Sequence, residues 1–345
     1  MGEVHCQNPL TEPGWDRWIS QFPGHTFFHE AAWAAGVTRA YRFPPCYLVV
    51  PGPVTEGGVL PLVEVRSRLT GCRGVGLPFT DFAAPLAADA AVFGRLHDRA
   101  VQLGRERGWK YLEYRGGRDF LGTAPAAVQF HGHRLDLRPG IDRLFAALDP
   151  ATRRAVRKAE KSGLTVVRSE RGENLADFYQ LMCRTRRKHG LPPAPLAFFE
   201  SLRSAVMGTG GGVLVTAQAA GRAVAAAWFC HSGPRAIYKY GASDERFQHL
   251  RGANLVMWEG IKWYADRGVE ELHFGRTELG NEGLRRFKLG WGSSEEIIEY
   301  FRFDLKTARF VLSNSGVAGW QHWAFSRMPF WMARLAGQFL YRHSA

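Results

Sequence analysis

Two places in this chain, about half its length apart, follow one rule. A helix stops at Arg-Gly, a strand runs from there to an aromatic residue, and a polar glycine loop comes next. The first place reads Arg107-Gly-Trp-Lys-Tyr-Leu-Glu-Tyr114 and the second Arg267-Gly-Val-Glu-Glu-Leu-His-Phe274. Upstream of each lies a hairpin-like pair of strands, 46–65 and 212–231. Repetition at this separation marks a duplicated α/β unit, although Arg-Gly ahead of a strand is also an ordinary way to end a helix. With 345 residues the chain has room for two cores of ordinary size. The join between the copies falls near 139–150.

The first copy reads as two short helices within 13–40, strands at 46–50 and 58–65, a helix over 90–107 and strands at 109–114 and 128–137. Its loop 73–85 is expected to expose a single carboxylate, Asp81, among apolar neighbours. In the second copy Ile237, Tyr238 and Tyr240 alternate as in a strand. Gly252-Ala-Asn254 then opens a helix with Leu255, Trp258, Ile261, Lys262 and Ala265 at helical spacing. Gly268 ends it, Val269, Leu272 and Phe274 form a strand that runs into the loop 275–280, and Arg285-Arg286-Phe287-Lys288 closes the unit as a short basic helix. A helix that starts from a loop beside a strand offers backbone N–H groups to an anion, so an acyl carrier is expected here.

The formal net charge of +13 favours polyanionic partners such as RNA, phosphorylated carriers or an acidic membrane surface. Asp149-Pro150 makes a cap and first turn for the helix ATRRAVRKAEKSG. Arg153, Arg154, Arg157, Lys158 and Lys161 line one side of it, with Ala155, Val156 and Ala159 on the other. The next helix, 173–189, ends in Arg184, Arg186, Arg187, Lys188 and His189. Cations at a helix C-terminus compensate its dipole, whereas a basic stripe beginning in a first turn opposes it. An anionic partner is therefore expected on Arg153, Arg154, Arg157, Lys158 and Lys161, and on Arg186, Arg187 and Lys188. The cysteines Cys6, Cys46, Cys72, Cys183 and Cys230 are scattered without C-x-x-C spacing, which suits core thiols in a reducing compartment and no metal site. No apolar run reaches membrane-spanning length, and the N-terminus lacks a secretion signal, so the expected location is cytoplasmic. Near the C-terminus Trp320, Trp323, Phe325, Phe330, Trp331, Leu335, Phe339, Leu340 and Tyr341 alternate with Arg327, Arg334, Arg342 and His343. Such a tail is expected to pack on the protein; a second reading has 320–343 lie peripherally on the inner face of a membrane.

An ordered set of motifs joins these features: Arg-x-x-Arg-Lys-Ala-Glu-Lys-Ser-Gly at 154–163, Thr-Arg-Arg-Lys-x-Gly-Leu-Pro-Pro at 185–193, the Gly-Ala-Asn helix start, Phe-Gly-Arg at 274–276 and Phe-Lys-x-x-Trp-Gly at 287–292. The set resembles the Fem-type branch of the GNAT superfamily, including the acetyltransferase-like proteins of polysaccharide clusters. The resemblance covers most of 25–305. It implies an α/β (α+β) fold of two tandem GNAT-like domains, 1–145 and 146–305, with a central cleft, and a helical tail, 306–345, that packs back on the first domain. It also implies transfer of an aminoacyl group from aminoacyl-tRNA to an amine of a cell-wall precursor or small metabolite. The family's Phe-Lys pair matches Phe287 and Lys288, where the lysine faces the charged end of the donor. The chain departs from the family in two respects. It has no insertion long enough for a two-helix tRNA arm, and around Gly252 the spacing of the usual pyrophosphate loop is off by one.

Acyl transfer to an amine requires the amine deprotonated and close to the carbonyl, with the oxyanion and leaving group stabilised. No G-x-S-x-G elbow or Cys/His pair is present, so direct attack is the economical route. Lys288 is expected to stabilise the leaving oxygen or a donor phosphate, with Phe287, Arg276, Arg285, Tyr240 and Asn254 as substrate contacts. Asp81 and Glu278 are the carboxylates expected to position or deprotonate the amine. No bound cofactor or metal is expected. Two other readings stay open: an acyl-CoA-dependent N-acyltransferase acting on an amino sugar or amino acid, and a non-catalytic scaffold that binds a membrane or partner.

Overall fold

A computed structural model describes residues 3–312 and 330–343. These form two compact units, and the chain passes between them more than once. One unit takes in the described residues to Phe130, 297–312 and 340–343; the other takes in His131–Glu296 and 330–339. The crossings fall within two strands, Val128–Asp136 and Ser294–Asp304. The unit limits are thus shifted from the sequence boundaries at 145/146 and 305/306, because each long strand gives residues to both units.

In the first unit His5–Gln7, Tyr47–Val50, Gly58–Leu60 and Leu86–Ala87 form one antiparallel sheet. In a second sheet Val63–Ser67 pairs with Gly71–Val75, which runs parallel to Tyr111–Arg115, and residues 300–304 pair antiparallel with Tyr111–Arg115. Helix Ala90–Glu106 provides the crossover. Asp89 caps it by accepting the Val92 N–H at 2.8 Å, and Val92, Phe93, Leu96, Ala100 and Leu103 face the sheets at the helical period.

The second unit repeats this unit of construction. Arg235–Ser243 leads through helix Gly252–Ala265 to Glu271–His273, which runs parallel to it and pairs antiparallel with 134–136. Beyond Arg235–Ser243 the sheet continues through Arg222–Ser232, Gly212–Ala219 and Thr165–Ser169. Helix Gly252–Ala265 and the basic helix Pro150–Glu160 cover one face through Leu255, Val256, Ile261, Val156 and Ala159. On the other face Phe178 and Phe199, from helices Leu175–Lys188 and Leu196–Val206, pack on Trp228 and Tyr240. The pairing of Arg222–Ser232 with Arg235–Ser243 slips at Trp228/Phe229, leaving Lys239 as the extra residue of a β-bulge. Tyr238 therefore meets Phe229 and Phe274 on one face, while Tyr240 joins Trp228 on the other. Plain alternation would have put both tyrosines on the same face.

Of the tail, helix Phe330–Leu340 is described; Trp320, Trp323, Phe325 and Arg327 lie outside the described residues. The turn after it belongs to the first unit. Tyr341 stacks on Phe79 at 5.5 Å, and the His343 carbonyl accepts from Arg73 at 3.0 Å.

Candidate functional site

The second unit gathers a buried polar site around Lys288. Strand Glu271–His273 continues through Phe274 to Gly275, whose φ of 69° is readily adopted only by glycine. The chain then turns through Thr277–Glu278 into helix Glu282–Leu289, capped by the Asn281 side chain, which accepts the Leu284 N–H at 3.1 Å. Lys288, in the last turn, reaches back to the strand end. Its Nζ donates to the carbonyls of Gly275 at 2.9 Å and Arg276 at 3.0 Å. At 2% exposure this ammonium is held by carbonyl dipoles instead of water.

Five side chains that the sequence reading did not single out, His131, His133, His273, Glu295 and Glu296, form ion pairs beside this turn. His133 is fully buried, with Nε2 3.2 Å from Glu295 Oε2, and His131 Nδ1 lies 3.3 Å from the other carboxylate oxygen. Burial, reinforced by the Lys288 charge, holds His133 down at about 4 against the pull of Glu295, so it is neutral at pH 7. His273 accepts the Gly275 N–H at Nδ1 (2.8 Å), which leaves Nε2 to donate to Glu296 at 3.0 Å. Burial would raise the Glu296 carboxyl, but hydrogen bonds from His273 and Arg134 outweigh it and hold the group at about 2. The available signal was His-Gly-His on a strand, a spacing that places both rings on one face. Thr277 Oγ1 and Trp291 Nε1 are buried without a hydrogen-bond partner among the described residues, and both adjoin the Lys288 turn in sequence.

The expected site residues fall into groups. Phe287 is half-buried, edge-on to Trp291 at 5.9 Å. Arg276 contributes its carbonyl to Lys288. Glu278 is exposed just beyond. Arg285 is not an open anion contact: Glu295 takes its Nε at 2.7 Å and its terminal nitrogen at 2.9 Å. Tyr240 belongs to the aromatic layer described above. Asn254 is half-buried in the first helical turn, its N–H donated to the Arg251 carbonyl. Asp81 lies in the first unit at 8% exposure, its carbonyl accepting the Tyr300 hydroxyl at 2.8 Å, so the loop does not present it to solvent as expected.

The basic residues also divide. Arg153 donates to the carbonyls of Ala146 and Leu148 and fastens its own helix. Arg154, Arg157, Lys158 and Lys161 are exposed. The start of this helix abuts the end of the Lys288 helix. The Asp149 N–H donates to the Gly290 carbonyl at 3.0 Å, and a Cβ on Gly290 would lie 2.4 Å from Thr152 Oγ1. Arg187 and Lys188, with Arg184 and Arg246, line a surface cavity of about 450 Å³ that also includes Ser243, Asp244 and Glu245. Asp244 draws Arg246 to 2.5 Å and Arg184 to 3.7 Å, and the Arg246 hydrogen bond holds its carboxyl at about 2. Four cations against two carboxylates leave the cavity net positive. Arg186 is half-buried on the same helix and does not line it. Among the described residues no group of His, Cys, Asp and Glu has metal-binding geometry, and no helix is long and apolar enough to cross a membrane.

Comparison with known proteins agrees with this architecture. Residues 150–289 match the family model described as an acetyltransferase (GNAT) domain. No curated protein sequence matches the chain. Among solved structures it is similar to FemX, at 16% identity and a TM-score of 0.67, over 85% of this chain and 96% of that one. A tandem GNAT protein from the clavulanic acid biosynthesis pathway matches at 13% identity and a TM-score of 0.54, over 88% and 98% of the two chains. L-PGS from Bacillus licheniformis matches at 12% identity and a TM-score of 0.53, over 87% and 92%. Residues 150–289 are thus similar to a GNAT acetyltransferase domain, and the chain has the fold seen in FemX and in the tandem GNAT protein.

Proposed function

We propose that this protein is an amide-forming acyltransferase that moves an aminoacyl group from aminoacyl-tRNA to an amine of a cell-wall precursor or small metabolite. The observation that carries the reading is the buried Lys288 ammonium, pinned by two carbonyls at the end of strand Glu271–His273. The exposed basic helix and the net-positive cavity in the same unit support a polyanionic carrier. The acceptor nitrogen attacks the ester carbonyl, a C–N bond forms, the C–O bond to the ribose breaks, and the leaving oxygen takes up a proton. A fixed ammonium stabilises the charge that builds on oxygen in this step. His133, at about 4, is too weak a base for an ammonium proton at neutral pH. We assign that role to Glu278, exposed beside the Lys288 loop, in preference to the buried Asp81. A cytoplasmic location follows from a charged-tRNA donor.

A second reading takes acyl-CoA as donor, and the acetyltransferase family model favours it. A Cβ on Gly252 would stand 3.1 Å from Ala225 Cβ and 3.3 Å from Val224 Cγ2, so the helix start lies close against the sheet. The test offers purified protein charged tRNAs and acyl-CoAs separately, each with a pool of amines, and reads products by mass spectrometry. RNase-sensitive amide formation supports the first reading, release of coenzyme A with amide formation replaces it with the second, and no amide from either donor overturns both.

A further inference from the structure

The first unit holds a pair of thiols with no part in acyl transfer. Strand His5–Gln7 is an edge strand held to Tyr47–Val50 by three residue pairs, with Cys6 opposite Leu48. Cys46 lies two residues before Leu48 on the neighbouring extended chain, so its side chain leaves from the face that Cys6 shares with Leu48. The register makes the two thiols diagonal neighbours on that face. Their settings differ. Cys46 is buried among Leu48, Leu60 and Leu62, and its N–H is fixed to the Leu62 carbonyl at 2.9 Å. Cys6 is exposed. The Cys46 thiol, together with the charges of Arg107 and Arg99, outweighs burial and draws Cys6 down to about 7, while the Cys6 thiol and burial push Cys46 well above the usual thiol range. One sulfur is thus accessible and nucleophilic, and its neighbour is sheltered from solvent.

We infer that Cys6 and Cys46 form a reversible disulfide site for low-molecular-weight disulfides such as glutathione disulfide, Cys6 attacking and Cys46 resolving. In the first step the Cys6 thiolate bonds to one sulfur of the reagent, its S–S bond breaks, and a glutathione thiolate leaves. In the second the Cys46 sulfur attacks Cys6, the bond from Cys6 to glutathione breaks, and the departing glutathione sulfur takes up the Cys46 proton. Two protein thiols are oxidised and one external disulfide is reduced to two thiols. Diagonal pairs on an antiparallel ladder have Cα atoms about 7–8 Å apart, a little beyond the roughly 7 Å limit for a disulfide. The closing movement falls on the three-residue edge strand, since Cys46 is anchored. The product staples the N-terminal strand to its sheet.

Full-length protein is treated with glutathione disulfide at neutral pH, digested without reduction and mapped by mass spectrometry. The expected result is a linked peptide pair through Cys6 and Cys46, loss of two of the five thiols, and a higher melting temperature that dithiothreitol reverses. Before oxidation, Cys6 is alkylated roughly tenfold faster than Cys72, whose thiol burial raises. Cys6→Ser, at an exposed position, keeps all its remaining thiols, and Cys46→Ala stops at a glutathione adduct on Cys6. A stable adduct on Cys6 of the unsubstituted protein, a bridge between other cysteines, or no thiol loss would each overturn the inference. The readout is independent of acyl transfer.

Discussion

In the proposed mechanism the Lys288 ammonium, out of water and fixed by the Gly275 and Arg276 carbonyls, contributes in the transition state. Lys288→Ala is expected to lower kcat by about 10²–10³-fold, the usual effect of removing one fixed donor to a developing oxyanion, while the helix itself stays folded by circular dichroism. Near-wild-type turnover would remove Lys288 from the mechanism. His133 makes a second prediction. Its folded value of about 4 lies below the ordinary histidine value of 6.5, so the unfolded chain binds a proton first as the pH falls. The stability from the neutral, buried ring is full above about 6.5 and is lost towards 4. His133→Leu should therefore reduce the drop in unfolding free energy between pH 6.5 and 5 by about 2 kcal/mol, measured by urea melts at each pH. An unchanged drop would mean the ring is solvated.

At the level of elements, helix Gly252–Ala265 shows what sequence can and cannot reveal. Its period was legible because Leu255, Trp258 and Ile261 repeat at helical spacing and all are buried. How closely it approaches the sheet was not. A Cβ on Gly260 would stand 2.3 Å from Cζ of Phe229, and that ring is itself packed by Tyr238 and Tyr264. Gly260→Ala, which on propensity alone should stabilise a helix, is expected here to cost about 1–3 kcal/mol through overpacking, read from the urea midpoint. A gain in stability would show that the ring can move aside. The Phe287-Lys288 corner was legible for a related reason: strand, glycine turn and basic helix are all local patterns. The partners of Arg285 and His133 were not. Both meet Glu295, which reaches them only through the register of the long strand Ser294–Asp304, whose polar opening Ser-Glu-Glu carries no strand signal of its own. The bulge at Lys239 likewise separates Tyr238 from Tyr240 through pairing with a neighbouring strand, which no alternation within one segment encodes.

For the molecule as a whole, the repeated Arg-Gly grammar located two copies of one strand–helix–strand crossover, but a sequence boundary placed in the connection between them missed how the chain is shared. Val128–Asp136 ends in the second unit, where 134–136 pair with Glu271–His273 and the His133 carbonyl accepts the Phe274 N–H at 2.9 Å. Leu135, Leu137 and Leu144, all at most 4% exposed, belong to that unit's core. A fragment 146–305, cut where the sequence suggests a domain, lacks all three. Deleting a buried leucine side chain costs about 2–5 kcal/mol, so three together remove on the order of 6–15 kcal/mol, comparable with the whole stability of an ordinary domain at about 5–15 kcal/mol. The fragment would also leave Glu271–His273 without its antiparallel neighbour, an open edge that invites association. It is therefore expected to show no cooperative urea transition and to aggregate, whereas a fragment 126–305, which restores the strand and the three leucines, should regain a transition. If 146–305 unfolds cooperatively as a monomer, the second unit does not depend on the shared strand, and the duplication is a simple tandem.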